Sequence, residues 1–313
     1  MKKIILDVDP GHDDAVAIMM AAKSPEIDLL GITVVSGNNS LEKTFQNTLN
    51  ICSWLELEVP IAKGMDRPMV RDRYLSSDAA VGNVHGETGL DGHEFGEVTV
   101  KAVDKHAVLF IIDTLMNADE KITVVPTGPL SNIGMALRLE PRIIEKIDQI
   151  VLMGGAYGIG NMTPSAEFNI LADPEAAHVV FSCGLPIVMM GLDLTRQAYC
   201  GDEIIDKMKT LDNKASELFV NLMGFFKQSQ KREFGWDSPP IHDPTTIAYL
   251  LKPEIFETVE CNVEISLSRN MTYGRTVCDM FGVTDKVKNT KVATKIDYNA
   301  FWDLVYDTLK LYS

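Results

Sequence analysis

Cysteines are few in this sequence, and no apolar run is long enough to span a bilayer. The five cysteines are odd in number and widely spaced, and none belongs to a C-x-x-C pair. This pattern argues against a disulfide framework and against a cysteine-rich zinc site. The first apolar run is interrupted by Asp7 and Asp9, which neither a signal peptide nor a membrane-spanning helix would contain. We therefore expect a soluble, cytoplasmic protein with reduced thiols.

Basic residues and histidines are also scarce. The 313 residues include 29 Lys and Arg against 44 Asp and Glu, so the formal net charge is -15 at pH 7. Such a charge disfavours nucleic acids and anionic membranes as partners, because both repel an acidic surface. The six histidines are scattered and show no H-x-x-x-H spacing, so zinc is not indicated.

The chain does contain a repeated alternation of strand and helix patterns. Residues 4–8 form an apolar run that predicts a buried strand, Pro10-Gly11 end it, and Asp13-Asp14 open a helical pattern rich in Ala and Met. Further strands are predicted at 27–35, 60–62, 122–126, 150–153 and 186–190, with helices between them. Irregular polar stretches are expected at 64–101, 154–169 and 232–240. The alternation predicts one α/β domain over residues 1–313, with a mainly parallel central sheet flanked by helices and an irregular C-terminal extension.

Four carboxylates crowd the end of the first predicted strand: Asp7, Asp9, Asp13 and Asp14. In α/β sheets this is the edge at which ligands bind. Carboxylates packed so closely are unfavourable unless a cation or hydrogen-bond donors share the site. Helix capping accounts for Asp13 or Asp14 but not for the two aspartates on the strand side. We therefore predict a metal site, and its oxygen-rich surroundings favour a hard cation such as calcium or magnesium.

Other polar residues follow later predicted strands or begin helices, and each also has a purely structural interpretation. Asp243 precedes Pro244 and could simply cap a helix. Thr127 lies in a turn, and Glu167 and Asn169 could belong to a surface loop. His85 lies in a glycine-rich stretch where a solvated side chain is equally compatible with the sequence. Only their combination with the acidic cluster favours a functional site.

The series of motifs resembles that of the inosine-uridine-type nucleoside hydrolases. Residues 7–15 read D-V-D-P-G-H-D-D-A and match the family signature D-x-D-P-G-x-D-D-A. The likeness continues in order along nearly the whole chain, at residues 37–38, 125–132, 151–155, 166–169, 173–177 and 242–244. The stretch 83–92, which reads N-V-H-G-E-T-G-L-D-G, is similar to the bacterial pyrimidine-preferring ribonucleoside hydrolases in particular.

The resemblance implies a Rossmann-like hydrolase that cleaves the N-glycosidic bond of ribonucleosides to give ribose and free base. It implies one calcium ion per subunit and a homo-oligomer, a tetramer in this family. The implied metal ligands are three carboxylates and one backbone carbonyl: Asp9, Asp14, Asp243 and Thr127. Asp9 would also be the general base that activates a calcium-bound water.

The same resemblance implies which residues contact the nucleoside. The implied ribose contacts are Asp13, Asn38, Met153, Asn161, Glu167 and Asn169. Base contacts are expected from Phe168, Gln230 and Phe234. His242 or His85 would supply a proton or hydrogen bond to the leaving base, and His242 is favoured because it adjoins Asp243. Phe234 stands where relatives often place a tyrosine, so it can stack on a base but offers no hydroxyl. We expect uridine and cytidine as the favoured substrates, with inosine possible.

Two other functions are compatible with parts of the sequence. Asp7-Val8-Asp9 after a strand is also typical of the haloacid-dehalogenase-like phosphatases, although Pro10-Gly11 and the adjacent aspartate pair do not suit a phosphate. A nucleoside- or calcium-binding protein without catalytic activity is the second alternative. Release of ribose from uridine would distinguish the hydrolase from both.

Overall fold

Ten strands and eleven α-helices form within residues 1–72 and 84–312, the part of the chain that this computed structural model describes. The strands are β1 Lys2–Val8, β2 Ile27–Val34, β3 Ile61–Lys63, β4 Ile122–Pro126, β5 Ile147–Met153, β6 Ile187–Met190, β7 Phe256–Cys261, β8 Val263–Ile265, β9 Thr276–Cys278 and β10 Thr290–Ile296. The helices are α1 His12–Lys23, α2 Leu41–Trp54, α3 Ala107–Met116, α4 Ser131–Leu139, α5 Phe168–Ala172, α6 Pro174–Phe181, α7 Leu192–Thr195, α8 Asp202–Lys209, α9 Lys214–Phe234, α10 Pro244–Leu251 and α11 Tyr298–Leu309.

Eight of the described strands form one sheet, in the order β3-β2-β1-β4-β5-β6-β10-β7. Neighbouring strands from β3 to β10 run parallel, and β7 alone is antiparallel to its neighbour β10. Strands β8 and β9 form a separate antiparallel pair in the C-terminal part. The prediction of a single α/β domain with a mainly parallel sheet is therefore confirmed.

The sheet has its topological switch point between β1 and β4. From β1 the chain extends the sheet in one direction through β2 and β3, and then returns to add β4, β5 and β6 on the other side. Loops leaving β1 and β4 therefore diverge, which opens a crevice at their carboxyl ends. The Thr127 amide, directly after β4, donates to the Asp7 carbonyl of β1 at 2.8 Å. The acidic segment after β1 thus lies at the position where this class of sheet binds ligands.

Alternating strand residues supply a hydrophobic core on each face of the sheet. Ile4, Leu6 and Val8 pack on the face covered by α1, α9 and α10, whereas Ile5 packs on the face covered by α3, α4 and α6. This follows from the two-residue period of a strand. Because both faces are buried, β1 reads as a continuous apolar run, which is the pattern that predicted it.

Most predicted strands differ from the observed ones by up to three residues at an end, and three larger differences concern β7, α9 and α5. Strand β7, Phe256–Cys261, was not predicted, and its exposed middle residues suit the edge of the sheet. Helix α9 continues to Phe234, so the loop predicted at 232–240 begins later. Helix α5 begins at Phe168, inside the predicted loop 154–169, because the Glu167 side chain caps it.

No helix in the described ranges is long and apolar enough to cross a lipid bilayer.

Candidate active site

A cavity of about 310 Å³ opens at the carboxyl edge of the sheet, beside the switch point. Most of the residues that the sequence suggested as ligands or contacts line it. They are Asp13, Asn38, His85, Thr127, Met153, Asn161, Glu167, Phe168, Asn169, Gln230, Phe234, His242 and Asp243. Asp9 and Asp14 lie beneath this lining and are joined to it by hydrogen bonds.

The floor of the cavity is a buried group of carboxylates. Asp13, Asp14 and Asp243 each place an oxygen so that the three atoms lie within 4.8 Å of one another. Asp9 adjoins them, and none of the four residues is more than 4% exposed. Asp9, an expected metal ligand, therefore lies beside the group of three, whereas Asp13, an expected ribose contact, belongs to it.

Backbone and hydroxyl groups hold these carboxylates in place. Asp14 accepts hydrogen bonds from the Gly11 amide at 3.0 Å and from the Thr127 hydroxyl at 2.8 Å. The His242 amide donates to Asp13 at 2.9 Å, and the Asn38 amide donates to Asp9 Oδ2 at 2.7 Å. The loops after β1, β2 and β4 and the start of α10 therefore meet at one point.

Asp9 is enclosed by two glycines. A Cβ atom on Gly37 would lie 2.1 Å from Asp9 Oδ2, and one on Gly128 would lie 2.5 Å from Oδ1. A side chain at either position would displace the carboxylate, so both loops depend on glycine for close approach. Asp9 Oδ1 is buried and has no hydrogen-bond partner within residues 1–72 and 84–312.

Burial and mutual repulsion of the carboxylates raise the pKa of three of these four aspartates. Burial, together with the charge of Asp14, raises the pKa of Asp9 well above its ordinary value. Burial and the charge of Asp13 raise the pKa of Asp14 to about 6, and the same two causes raise the pKa of Asp243 well above its ordinary value. Burial also acts against ionisation of Asp13, but the nearby His242 and His85 and the His242 amide outweigh it and lower the pKa of Asp13.

These observations fit a bound hard cation. The donor set consists of carboxylate and carbonyl oxygens, with no thiol, and it contains a buried oxygen that lacks a partner. Within the described ranges no lysine or arginine forms a salt bridge with any of the four aspartates. A cation is therefore the ligand that would compensate the charge.

The capping interpretation of Asp243 is not supported by its contacts. Asp243 occupies the N-cap position of α10, yet its side chain makes no capping hydrogen bond. Asp173 stands before a proline in the same way, and its side chain does accept from the Ala176 amide at 3.0 Å. The two Asp-Pro pairs thus differ: Asp173 is a helix cap, whereas the Asp243 carboxylate turns to the acidic cluster.

A second wall of the cavity is built around Glu167 and Asn169. The Glu167 carboxylate accepts from the amides of Gly155 at 2.8 Å, Asn169 at 2.8 Å and Ile170 at 3.1 Å. Burial raises the pKa of Glu167 to about 7, against the effect of these amides. Asn169 Nδ2 donates to the Thr127 carbonyl at 2.7 Å. This bond connects the wall to the loop after β4.

Met153 and Asn161 complete this wall. The Asn169 amide nitrogen also lies 3.1 Å from the Met153 carbonyl, at the end of β5. The Asn161 amide donates to the Ala166 carbonyl at 3.2 Å, within a turn that folds the loop back on itself. Both residues line the cavity, as the sequence suggested.

Two histidines line the cavity, His85 and His242. His85 is 7% exposed, and its ring stacks on Phe226 of α9 at a centroid distance of 5.3 Å. The solvated alternative for His85 is therefore wrong. His242 Nδ1 lies 2.7 Å from the hydroxyl of Thr195, at the end of α7.

The expected base contacts lie toward the outer part of the cavity. Phe234, on the last turn of α9 rather than on a loop, stacks on Trp236 with ring centroids 5.1 Å apart. Gln230, one turn earlier on α9, is buried, and its Oε1 has no hydrogen-bond partner in the described part of the chain. Phe168 lies at the start of α5.

Several lining residues were not identified from the sequence. They include Val84, Leu192, Arg196, Phe226 and Trp236. Arg196 donates to the carbonyls of Ile159 at 3.1 Å and Gly160 at 3.0 Å, and so fixes the loop that carries Asn161. Of these residues, only Trp236 could have been suspected from the sequence, because it lies two positions from Phe234, an expected base contact. Asn83, the first residue of the pyrimidine-type motif, lies outside the described residues.

Asp7, which received no ligand role, has a structural one. Its Oδ1 accepts from the Thr33 hydroxyl at 2.5 Å and from Asn132 Nδ2 at 2.8 Å. Asn132 in turn donates to the Val34 carbonyl at 3.1 Å. Asp7 therefore ties the ends of β1 and β2 to helix α4, directly behind the acidic floor.

Comparisons with known proteins identify the family of this chain. The family model of the inosine-uridine preferring nucleoside hydrolases matches residues 4–303. The chain is 54% identical over 311 residues to the pyrimidine-specific ribonucleoside hydrolase RihB of Escherichia coli O17:K52:H18, covering 99% of this chain and 98% of that protein. A RihB of Escherichia fergusonii is 53% identical with the same coverage.

Solved structures show the same fold. A purine-preferring ribonucleoside hydrolase from Gardnerella vaginalis superposes with a TM-score of 0.90 at 34% identity, covering 99% of both chains. The plant nucleoside hydrolase PpNRh1 also gives a TM-score of 0.90, at 28% identity and the same coverage. With a family model that spans almost the whole chain and relatives at this level of identity, the chain belongs to the inosine-uridine preferring nucleoside hydrolases, which are hydrolases of N-glycosyl bonds.

Proposed function

We propose that this chain is a calcium-dependent ribonucleoside hydrolase that favours uridine and cytidine and accepts inosine less readily. The observation that carries the proposal is the buried carboxylate floor of a nucleoside-sized cavity, at the switch point of the sheet. Family membership supplies the reaction class, and the residues around the floor suggest how the reaction proceeds.

Calcium would be held by the Asp9, Asp14 and Asp243 carboxylates and by the Thr127 carbonyl. Asp13 contributes a further oxygen to the same group and is proposed to contact the sugar. When bound, calcium would orient the ribose 2′- and 3′-hydroxyls and make a nearby water easier to deprotonate. The side chains of Asp9, Asp13 and Asp14 are held by hydrogen bonds, so most of this donor set is preformed.

Asp9 is the proposed general base. Its Oδ2 is held by the Asn38 amide, whereas the buried Oδ1 has no hydrogen-bond partner within the described ranges. A carboxylate that is fixed by one oxygen can accept a proton on the other.

The proposed ribose contacts match the charge that develops during cleavage. When the C1′–N bond breaks, its electron pair leaves with the base and the sugar acquires oxocarbenium character. Asp13, Glu167 and the amides of Asn38, Asn161 and Asn169 surround this position with carboxylate and amide dipoles, and Met153 packs beside them. Fixed dipoles of this kind stabilise a transition-state cation without needing to reorganise.

The preference for pyrimidines is supported by relatives and by one side chain. The RihB proteins at 53–54% identity are named pyrimidine-specific, whereas the purine-preferring Gardnerella enzyme is 34% identical. Gln230 carries a buried amide oxygen that lacks a partner, on the side of the cavity formed by α9. An amide presents one donor and one acceptor, which matches the edge of uracil or cytosine. Phe168 and Phe234 are the proposed apolar contacts of the base.

Two further proposals concern assembly and location. The C-terminal part carries largely exposed apolar side chains, including Met271, Phe281, Val283 and Val287, which supports a homo-oligomer, a tetramer by family. All five cysteines are free thiols, in keeping with a reducing cytoplasm. Light scattering at several protein concentrations would determine the oligomeric state.

The decisive experiment is an assay of ribose release from uridine, cytidine, inosine and 2′-deoxyuridine, with and without a chelator. We expect turnover of uridine and cytidine to exceed that of inosine, to be lost with chelator and to be restored by calcium. The deoxy substrate should react far more slowly, because it lacks one of the hydroxyls that the ion would hold. Full activity after removal of divalent ions would refute the calcium proposal but not the hydrolase assignment.

Family membership argues against both alternatives raised by the sequence. A phosphatase would need groups that bind a phosphate, whereas the cavity floor is a cluster of carboxylates. A nucleoside binder without activity would bind uridine and release no ribose in the same assay. Tight binding without ribose release is thus the outcome that would contradict the proposed reaction.

A further inference from the structure

The leaving base needs a hydrogen-bond donor, and the contacts of His242 determine whether it can be one. His242 lines the cavity, and its backbone amide is fixed by Asp13 at 2.9 Å. Its Nδ1 lies 2.7 Å from the Thr195 hydroxyl. The second ring nitrogen, Nε2, makes no hydrogen bond with residues 1–72 and 84–312 and is not among their buried atoms that lack a partner, so we place it on the cavity side.

The direction of this hydrogen bond follows from the surroundings of Thr195. The residue is fully buried at the end of α7, and its hydroxyl has no other hydrogen-bond partner within residues 1–72 and 84–312. If His242 donated from Nδ1, the hydroxyl proton of Thr195 would be left buried without an acceptor, which is unfavourable. The hydroxyl is therefore the donor and Nδ1 the acceptor. A neutral imidazole that accepts at Nδ1 carries its proton on Nε2.

We propose that Thr195 is a positioning residue that fixes His242 in the tautomer with its proton on Nε2, aimed at the leaving base. This rests on the proposed function. As the C1′–N bond breaks, the electron pair moves onto the base and spreads to its oxygens. A hydrogen bond from His242 Nε2 to one of these acceptors stabilises the departing base. Without the Thr195 hydroxyl, the ring can rotate or adopt the other tautomer, which places a lone pair against the same acceptor.

Two substitutions separate the hydroxyl from the bulk of the side chain. Thr195→Val has nearly the same shape and lacks the hydroxyl, whereas Thr195→Ser keeps the hydroxyl and lacks the methyl group. We expect Thr195→Val to lower kcat for uridine roughly tenfold, the contribution of one hydrogen bond, with a smaller change in KM. Thr195→Ser should retain most of the turnover.

The identity of the leaving group provides a readout that a purely structural role would not affect. 4-Nitrophenyl β-D-ribofuranoside has a leaving group that departs readily without a hydrogen-bond donor. Thr195→Val should therefore slow uridine much more than the nitrophenyl riboside. Equal losses on both substrates, or a Thr195→Val enzyme as fast as wild type on uridine, would overturn the proposal.

The tautomer can be observed without any activity. Neutron diffraction from deuterium-exchanged crystals of the full-length wild-type enzyme would show a deuterium on His242 Nε2 and one on the Thr195 oxygen, directed at Nδ1. A deuterium on Nδ1 would refute the inference. If wild type failed to hydrolyse uridine, the proposed function would be wrong, while the neutron map would still decide the tautomer.

Discussion

The Nδ1 atoms of His12 and His85 lie 2.9 Å apart in the interior of the protein. His12 is fully buried, and its Nε2 donates to the Asp91 carbonyl at 2.7 Å. Its ring also stacks with Phe225 and Phe226 of α9, at centroid distances of 5.4 and 5.1 Å. His12 therefore joins the first helix, the loop that carries His85 and helix α9 at one contact.

Replacing His12 by phenylalanine should loosen this contact while keeping the stacked ring. We expect the free energy of unfolding to fall by about 1–3 kcal/mol, because the Asp91 carbonyl and His85 lose a buried hydrogen-bond partner. The KM for uridine should rise, since His85 lines the cavity. Urea denaturation and steady-state kinetics measure both effects. His178→Phe, at an exposed position of α6, is the control and should change stability by less than about 0.5 kcal/mol.

Asp9→Asn tests the proposed general base. The amide keeps the size of the side chain but cannot take a proton, so kcat for uridine should fall by about 10²–10⁴-fold. The fold should persist, since the change removes a buried charge rather than a packing group. Asp148→Asn, at an exposed position of β5, should retain wild-type turnover. A near-normal rate for Asp9→Asn would remove Asp9 from the mechanism.

Glu167 should make stability depend on pH. Burial raises the pKa of Glu167 from 4.5 to about 7, so the folded state holds a proton that the unfolded state releases above pH 4.5. Its contribution to stability is therefore complete below pH 4.5 and is lost as the pH rises toward 7, by up to about 1.4 kcal/mol per pH unit. Urea denaturation of wild type and Glu167→Gln across this window would measure the slope. An unchanged slope in the variant would show that Glu167 is already ionised in the folded state.

Gln230 should contribute to recognition of the pyrimidine edge. Gln230→Leu keeps a similar volume and removes the amide, so we expect kcat/KM for uridine and cytidine to fall roughly tenfold, the value of one hydrogen bond. The nitrophenyl riboside, which lacks that edge, should be affected less. Gln46→Leu, at an exposed position of α2, serves as the control. Equal losses on all substrates would indicate a packing role instead.

The strands of the sheet and the polar loops that follow them could be predicted from the sequence, because each has a local pattern. The buried strands on either side of the switch point read as continuous apolar runs, and the loops that follow them carry the polar residues that line the cavity. Strand β7 escaped prediction because Glu257, Thr258 and Glu260 give it the polarity of a loop. It forms a strand because it pairs with β10, which begins only at Thr290, after β8 and β9.

The parts of the site that sequence reasoning missed have no local signature. Arg196 looks like any basic residue after a short helix, and Thr195 like any threonine. Their roles depend on which loops fold over them: the Arg196 guanidinium meets the carbonyls of Ile159 and Gly160, and the Thr195 hydroxyl meets His242. Such partners are distant in sequence and can be recognised only from coordinates.

The hydrogen bond from the His242 amide to Asp13 spans 229 positions of the chain. During synthesis the strands that form the first half of the sheet leave the ribosome long before the segment that begins α10. Until that segment arrives, the aspartates that follow β1 lack both Asp243 and the amide of His242. A nascent chain can therefore have much of its sheet and still be unable to assemble the acidic floor. Catalytic activity in this enzyme therefore requires that synthesis and folding have passed the segment that begins α10.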